Sequence, residues 1–163
     1  RVEVLGAGAG AVDVLNLVEA VLEDQRAAVL KKELKLRTSV SPLLLQGDRE
    51  RLKALLDNLL SNAVKYTPAG GLVELSVGRD GAMALIEVGD SGPGITADEK
   101  EKIFEPFYQG RAACLGPVQG TGIGLSIVRD YVAALQGEVE VEESSAGGAL
   151  FRVRLPLAAE NRA

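Results

Sequence analysis

The 163 residues are enough for one domain with a real buried core. Hydrophobic residues make up 47% and charged residues 25%, which excludes a disordered chain. A net charge of −5 without a basic cluster argues against nucleic acid or an anionic membrane as partner, although backbone N–H groups can still hold phosphate locally.

Three Phe, three Tyr and no Trp leave the core to Leu, Val, Ile and Ala. The single Cys114 rules out an internal disulfide and fits a reducing compartment. No apolar run approaches the ~18 residues of a membrane-crossing helix, and no signal peptide is visible. The first residue is Arg1, not Met, which points to a domain cut from a longer protein.

Residues 1–12 read as a flexible linker, with the domain proper over 13–158 and a tail at 159–163. Within the linker, Gly6-Ala7-Gly8-Ala9-Gly10-Ala11 formally matches the dinucleotide fingerprint through Gly6, Gly8 and Ala11, but the α/β alternation that should follow is absent. Val14, Leu17, Val18, Val21 and Leu22 then fall at helical spacing, with Asp13 as N-cap. Residues 34–40 alternate as a strand. Asp48 is placed to cap a second helix to Tyr66, whose stripe is Leu52, Leu55, Leu56, Leu59, Leu60, Ala63 and Val64.

Two alternating runs, 72–79 and 82–89, meet at Asp80-Gly81, a hairpin signal. Thr96 and Glu99 form a capping box for a short helix. Residues 105–119 lack periodicity and carry Gly110, Gly116 and Pro117, the composition of a mobile loop. A third long helix is predicted over 122–136, then strands at 138–142 and 150–155. A hairpin, a helix and returning strands, with no regular β-α-β alternation, predict a mixed sheet with helices on one face.

Four segments carry chemistry. On the second helix, Asn58, Asn62 and Lys65 lie within roughly 60° of one another. Such a set fits a Mg-triphosphate, carboxamide oxygen to metal and ammonium to phosphate, though alone it is what any solvated helix face shows. Asp90-Ser91-Gly92-Pro93-Gly94-Ile95 puts a carboxylate at a strand end, where it can accept from an amine such as adenine's while glycines admit a flat ring; a plain turn uses the same residues. Phe104, Phe107 and Tyr108 concentrate half the aromatics in five residues, either a local staple or the anchor of a lid. Gly120-Thr121-Gly122-Ile123-Gly124-Leu125 leads glycine-rich backbone into a helix N-terminus, a phosphate cradle without the Lys of a P-loop.

In this order and spacing the four segments, with Gly147-Gly148-Ala149-Leu150-Phe151 near the end, resemble the N, G1, F and G2 boxes of the catalytic ATP-binding domain of bacterial two-component sensor histidine kinases. The likeness spans about residues 13–157. It implies an α/β two-layer sandwich of the Bergerat type, shared with gyrase and heat-shock chaperone ATPases. It further implies that the chain binds ATP and Mg²⁺ and passes the γ-phosphate to a histidine. By that resemblance Asn62 ligates Mg²⁺ with Asn58 beside it, Lys65 contacts phosphate, and Tyr66 lies by the nucleotide. Asp90 reads the adenine amine, and Gly92, Gly94 and Ile95 shape the base pocket. Phe104 and Phe107 start the lid, in which Arg111 adds a phosphate contact. Gly120, Thr121, Gly122, Gly124 and Leu125 line the phosphates.

This chain departs from the pattern in two ways. It contains no histidine, so the phosphoacceptor must come from elsewhere. The family usually has a threonine where Ala149 stands, which implies weaker adenine recognition, or recognition carried by Asp90 and water. The position of Asn58 is usually a glutamate in hydrolytic relatives; an amide cannot act as general base, which favours phosphoryl transfer over ATP hydrolysis. The implied partners are a histidine-bearing dimerisation domain and a downstream response regulator, with this domain cytoplasmic, its parent in the bacterial inner membrane, and the isolated domain a monomer. Two other readings stand beside this one: an anti-sigma-type serine kinase of the same fold, and a nucleotide-binding module that regulates by contact without transfer.

Overall fold

Alternating apolar residues in four of the predicted runs pair with a fifth into one mixed sheet. The computed structural model describes residues 10–100, 102–104 and 124–159. In chain order the elements are β1 (Ala11–Asp13), α1 (Val14–Lys31), β2 (Lys35–Val40), β3 (Leu44–Gln46), α2 (Arg49–Tyr66), β4 (Leu72–Asp80), β5 (Met83–Asp90), α3 (Gly124–Ala134), β6 (Glu138–Glu143) and β7 (Ala149–Pro156). Single 3₁₀ turns lie at Ala97–Glu99 and Lys102–Phe104.

The main sheet runs β2-β4-β5-β7-β6. Its β2–β4 pair is parallel and the other three pairs are antiparallel. Asp80 pairs with Met83 across the hairpin, and Gly81 takes the left-handed φ of +64° that the tight turn needs.

Period-two alternation gives the sheet two unlike faces. Val73, Leu75, Val77, Ala84, Ile86, Val88, Phe151, Val153 and Leu155 are buried, as is the whole predicted stripe of α2. The helices cover this one face, giving a two-layer α/β sandwich. The opposite face is polar. There Arg152 bridges three strands, its guanidinium 2.9 Å from Glu87, 2.8 Å from Glu140 and 3.0 Å from Glu142.

Local signals are realised unevenly. Asp13 caps α1 by accepting from the Leu15 N–H at 3.0 Å. Asp48 occupies the N-cap of α2 but makes no side-chain cap bond; its carboxylate pairs with Arg51 at 3.8 Å instead. Thr96 donates to the Glu99 carboxylate at 2.9 Å, and the predicted short helix is one 3₁₀ turn. The β1–β3 ribbon, with Val12 opposite Leu45, has no counterpart in the sequence reading. No described helix is long and apolar enough to cross a membrane.

Candidate functional site

The site is built around the last residue of β5. Asp90 lies on the core face of the strand and is only 6% exposed. Its Oδ1 accepts two backbone N–H groups, from Gly92 at 2.9 Å and from Ala149 at 3.1 Å. Burial pushes its pKa up from the ordinary carboxylate value, and the two N–H bonds pull the other way without cancelling that effect. Among the described residues Oδ2 accepts nothing, and it is not a sealed, orphaned atom. Asp90 therefore presents one oriented, unsatisfied acceptor beside the core.

Glycines make that geometry possible. A Cβ on Gly148 would collide with Asp90 Oδ1 and lie 2.6 Å from the Gly92 nitrogen. A Cβ on Gly92 would sit 2.8 Å from the Tyr66 carbonyl oxygen, so the C-terminal end of α2 packs directly on the 90–92 turn. Gly94 has φ +77°, a conformation that disfavours any side chain. Ile95 packs, partly buried, against the core. Ser91 ties the turn to β4: its Oγ accepts from the Leu72 N–H at 2.9 Å, and its own N–H donates to the Leu72 carbonyl at 3.0 Å.

Asn58, Asn62, Lys65 and Tyr66 occupy successive turns of α2, all half-buried at the margin of its apolar stripe. The Asn58 amide nitrogen donates to the Ala54 carbonyl at 2.9 Å, which orients the side chain along the helix. Lys32, from the end of α1, donates to the Val64 and Lys65 carbonyls at 2.7 and 3.0 Å and closes the C-terminus of α2. Burial pushes the Tyr66 phenol up. The structure thus brings the end of the Asn-bearing helix against the Asp90 turn.

Phe104 is 6% exposed and meets Phe151 edge-on, ring centroids 6.2 Å apart. It is a core residue that pins the chain just before the predicted lid. Phe107, Tyr108, Arg111, Gly120, Thr121 and Gly122 lie outside the described residues. Gly124 opens α3, and Leu125 packs, partly buried, against the core. Sequence reasoning passed over Lys32 and Ser144. Only the turn-forming Ser-x-x-Gly spacing at 144–147 hinted at the latter.

The family model described as histidine kinase-, DNA gyrase B-, and HSP90-like ATPase matches residues 47–159. The chain belongs to that ATPase family. Within it, the likeness is to sensor histidine kinases. The chain is 40% identical over 148 residues to sensor histidine kinase TmoS of Ectopseudomonas mendocina, covering 89% of this chain and 15% of TmoS. To signal transduction histidine-protein kinase BaeS of Escherichia coli (strain K12) it is 34% identical over 147 residues, covering 90% of this chain and 32% of BaeS. It therefore spans a third or less of the length of these relatives. Among solved structures, the catalytic domain of histidine kinase ThkA superposes with a TM-score of 0.82 at 27% identity, covering 97% of this chain and all of that one. Full-length ShkA in complex with AMPPNP gives 0.78 at 32% identity over 97% of this chain and 32% of ShkA.

ATP is the nucleotide of this ATPase family, and the kinase domain fits it where it is described. The free oxygen of the Asp90 carboxylate, at a turn of closely packed glycines, suits the exocyclic amine of adenine. No cluster of three His, Cys, Asp or Glu among the described residues could hold a metal by itself. A Mg²⁺ ion that arrives on the phosphates and takes an amide oxygen from α2 is compatible with that donor set.

Proposed function

We propose that this kinase domain binds Mg-ATP and donates the γ-phosphate to a histidine on a dimerisation domain outside the chain, as one step of two-component signalling. The observation that carries the reading is Asp90, buried at a strand end, clamped by two N–H groups and left with one free acceptor. In this reading Asp90 accepts from the adenine amine, while Gly92, Gly94 and Ile95 shape the slot for the ring. Asn62 ligates Mg²⁺ with Asn58 beside it, Lys65 contacts phosphate, and Tyr66 flanks the nucleotide. Phe107, Arg111, Gly120, Thr121, Gly122, Gly124 and Leu125 form the lid and phosphate side.

The bond from the γ-phosphorus to the bridging oxygen breaks, and its electron pair stays with ADP. A phosphorus–nitrogen bond forms to the acceptor imidazole, whose proton leaves to water. Mg²⁺ supplies charge neutralisation along the phosphates. Lys65 adds a fixed positive charge, and Asn58, an amide, provides no base to activate water. A protein of this design transfers phosphate to a supplied nucleophile faster than it hydrolyses ATP. The domain works at the cytoplasmic end of its parent, with a response regulator downstream.

The test is to incubate the chain with γ-labelled ATP and a separately supplied histidine-bearing dimerisation domain. Acid-labile, base-stable label on that domain, lost with Asn62→Ala, is the expected result. Label on a serine would instead favour the anti-sigma-type kinase, and free phosphate alone would contradict transfer.

A further inference from the structure

We propose that Ser144 is a positioning residue for base recognition: it locks the turn between β6 and β7, and that turn sets the direction of the Asp90 carboxylate. The inference rests on Asp90 being the group that reads adenine, as above.

Ser144 is a polar residue only 5% exposed. Three hydrogen bonds radiate from it into its own turn. Its Oγ accepts from the Ala146 N–H at 3.0 Å, its carbonyl accepts from the Gly147 N–H at 2.9 Å, and its N–H donates to the Gly148 carbonyl at 2.7 Å. The closed turn then presents two N–H groups to one residue. Gly148 donates to the Asp90 carbonyl at 3.0 Å, and Ala149 donates to Asp90 Oδ1 at 3.1 Å. Ser144 also abuts the strand just before Asp90, since a Cβ on Gly89 would lie 3.1 Å from its Oγ.

The terminal torsion of an aspartate is broad, so a rotamer well alone does not fix where its oxygens point. The donors fix it. One of the two donors on Oδ1 belongs to the Asp90 turn itself, and the other, Ala149, is delivered by the Ser144 turn. Oδ2, the free acceptor, points where those donors leave it. An alanine at 144 cannot accept from Ala146, which loosens the turn and lets the carboxylate rotate.

The experiment is titration calorimetry of the 163-residue chain with ADP and with IDP, which differ by an amine or a carbonyl at one ring carbon. The parent is expected to prefer ADP by about tenfold or more, the scale of one charge-assisted hydrogen bond. Ser144→Ala is expected to cut that preference at least about threefold, and Ser144→Thr, which keeps the hydroxyl, to retain it. Gly89→Ala, which crowds Ser144 without removing it, is expected to erode the preference in the same direction and decides the matter if Ser144→Ala does not fold. A Ser144→Ala or Gly89→Ala chain that melts earlier but keeps the parent's ADP-to-IDP ratio overturns the proposal and leaves Ser144 a purely structural residue. A parent with no ADP preference would remove the base-reading role of Asp90 itself, and the proposal with it.

Discussion

Asp90 combines two demands that oppose one another. Acceptance from an amine is strongest at an ionised carboxylate, yet this one sits where burial raises its pKa. The folded chain therefore holds a proton there more tightly than the unfolded chain does. This contribution to folding is fully present below the ordinary carboxylate range and is lost as pH rises through the raised value. Asparagine mimics the protonated form and can still accept both N–H bonds at one oxygen. Asp90→Asn is expected to melt at or above the parent's temperature at pH 7, with the difference vanishing below about pH 4 in a pH series of thermal melts. The same change should weaken ADP binding about a hundredfold, because it sets an amide donor against the adenine amine. Gly148 is constrained by contact, not by its own φ. Gly148→Ala forces its Cβ into Asp90 and Gly92 and is expected to cost about 1–3 kcal/mol in denaturant titration and to remove nucleotide binding.

At the scale of elements, α2 is the hub: it packs on α1, α3, β4 and β5 and carries the polar set of Asn58, Asn62 and Lys65. Leu59, fully buried in it, is expected to cost about 2–5 kcal/mol when changed to alanine, read as a lower denaturant midpoint with an unchanged slope. This helix was legible in the sequence because its apolar stripe runs over four turns, and the β4–β5 hairpin because alternation flanks a two-residue turn. The β1–β3 ribbon was not legible: three residues per strand carry too little periodicity, and its partners lie thirty residues apart. The Thr96 box was visible, but its hydroxyl bonds the Glu99 side chain and only one 3₁₀ turn follows. Asp90 could be found by its place among glycines, whereas the role of Ser144 depends on a turn closing against a strand more than fifty residues away. Nor could Gly137 be read as contact-driven. The residue at positive φ after α3 is Gln136, and the glycine beside it is required because a Cβ would strike the Arg154 carbonyl of β7.

At the scale of the molecule, the proposed phosphoryl transfer needs a histidine supplied by another body, because the 163 residues contain none. We expect the isolated domain to be a monomer, and sedimentation at micromolar concentration checks this; a dimer would place the subunit contact on this domain and not on a histidine-bearing one. On the polar face of the sheet, Arg152 is held within the chain by Glu87, Glu140 and Glu142. The account depends most on nucleotide binding at Asp90. Calorimetry with ADP, with and without Mg²⁺, on the parent and on Asp90→Asn tests it directly. Binding strengthened by Mg²⁺ and lost on the Asp90 change is the predicted result; a folded parent that binds no adenine nucleotide, or an Asp90→Asn chain that binds as tightly as the parent, would contradict it.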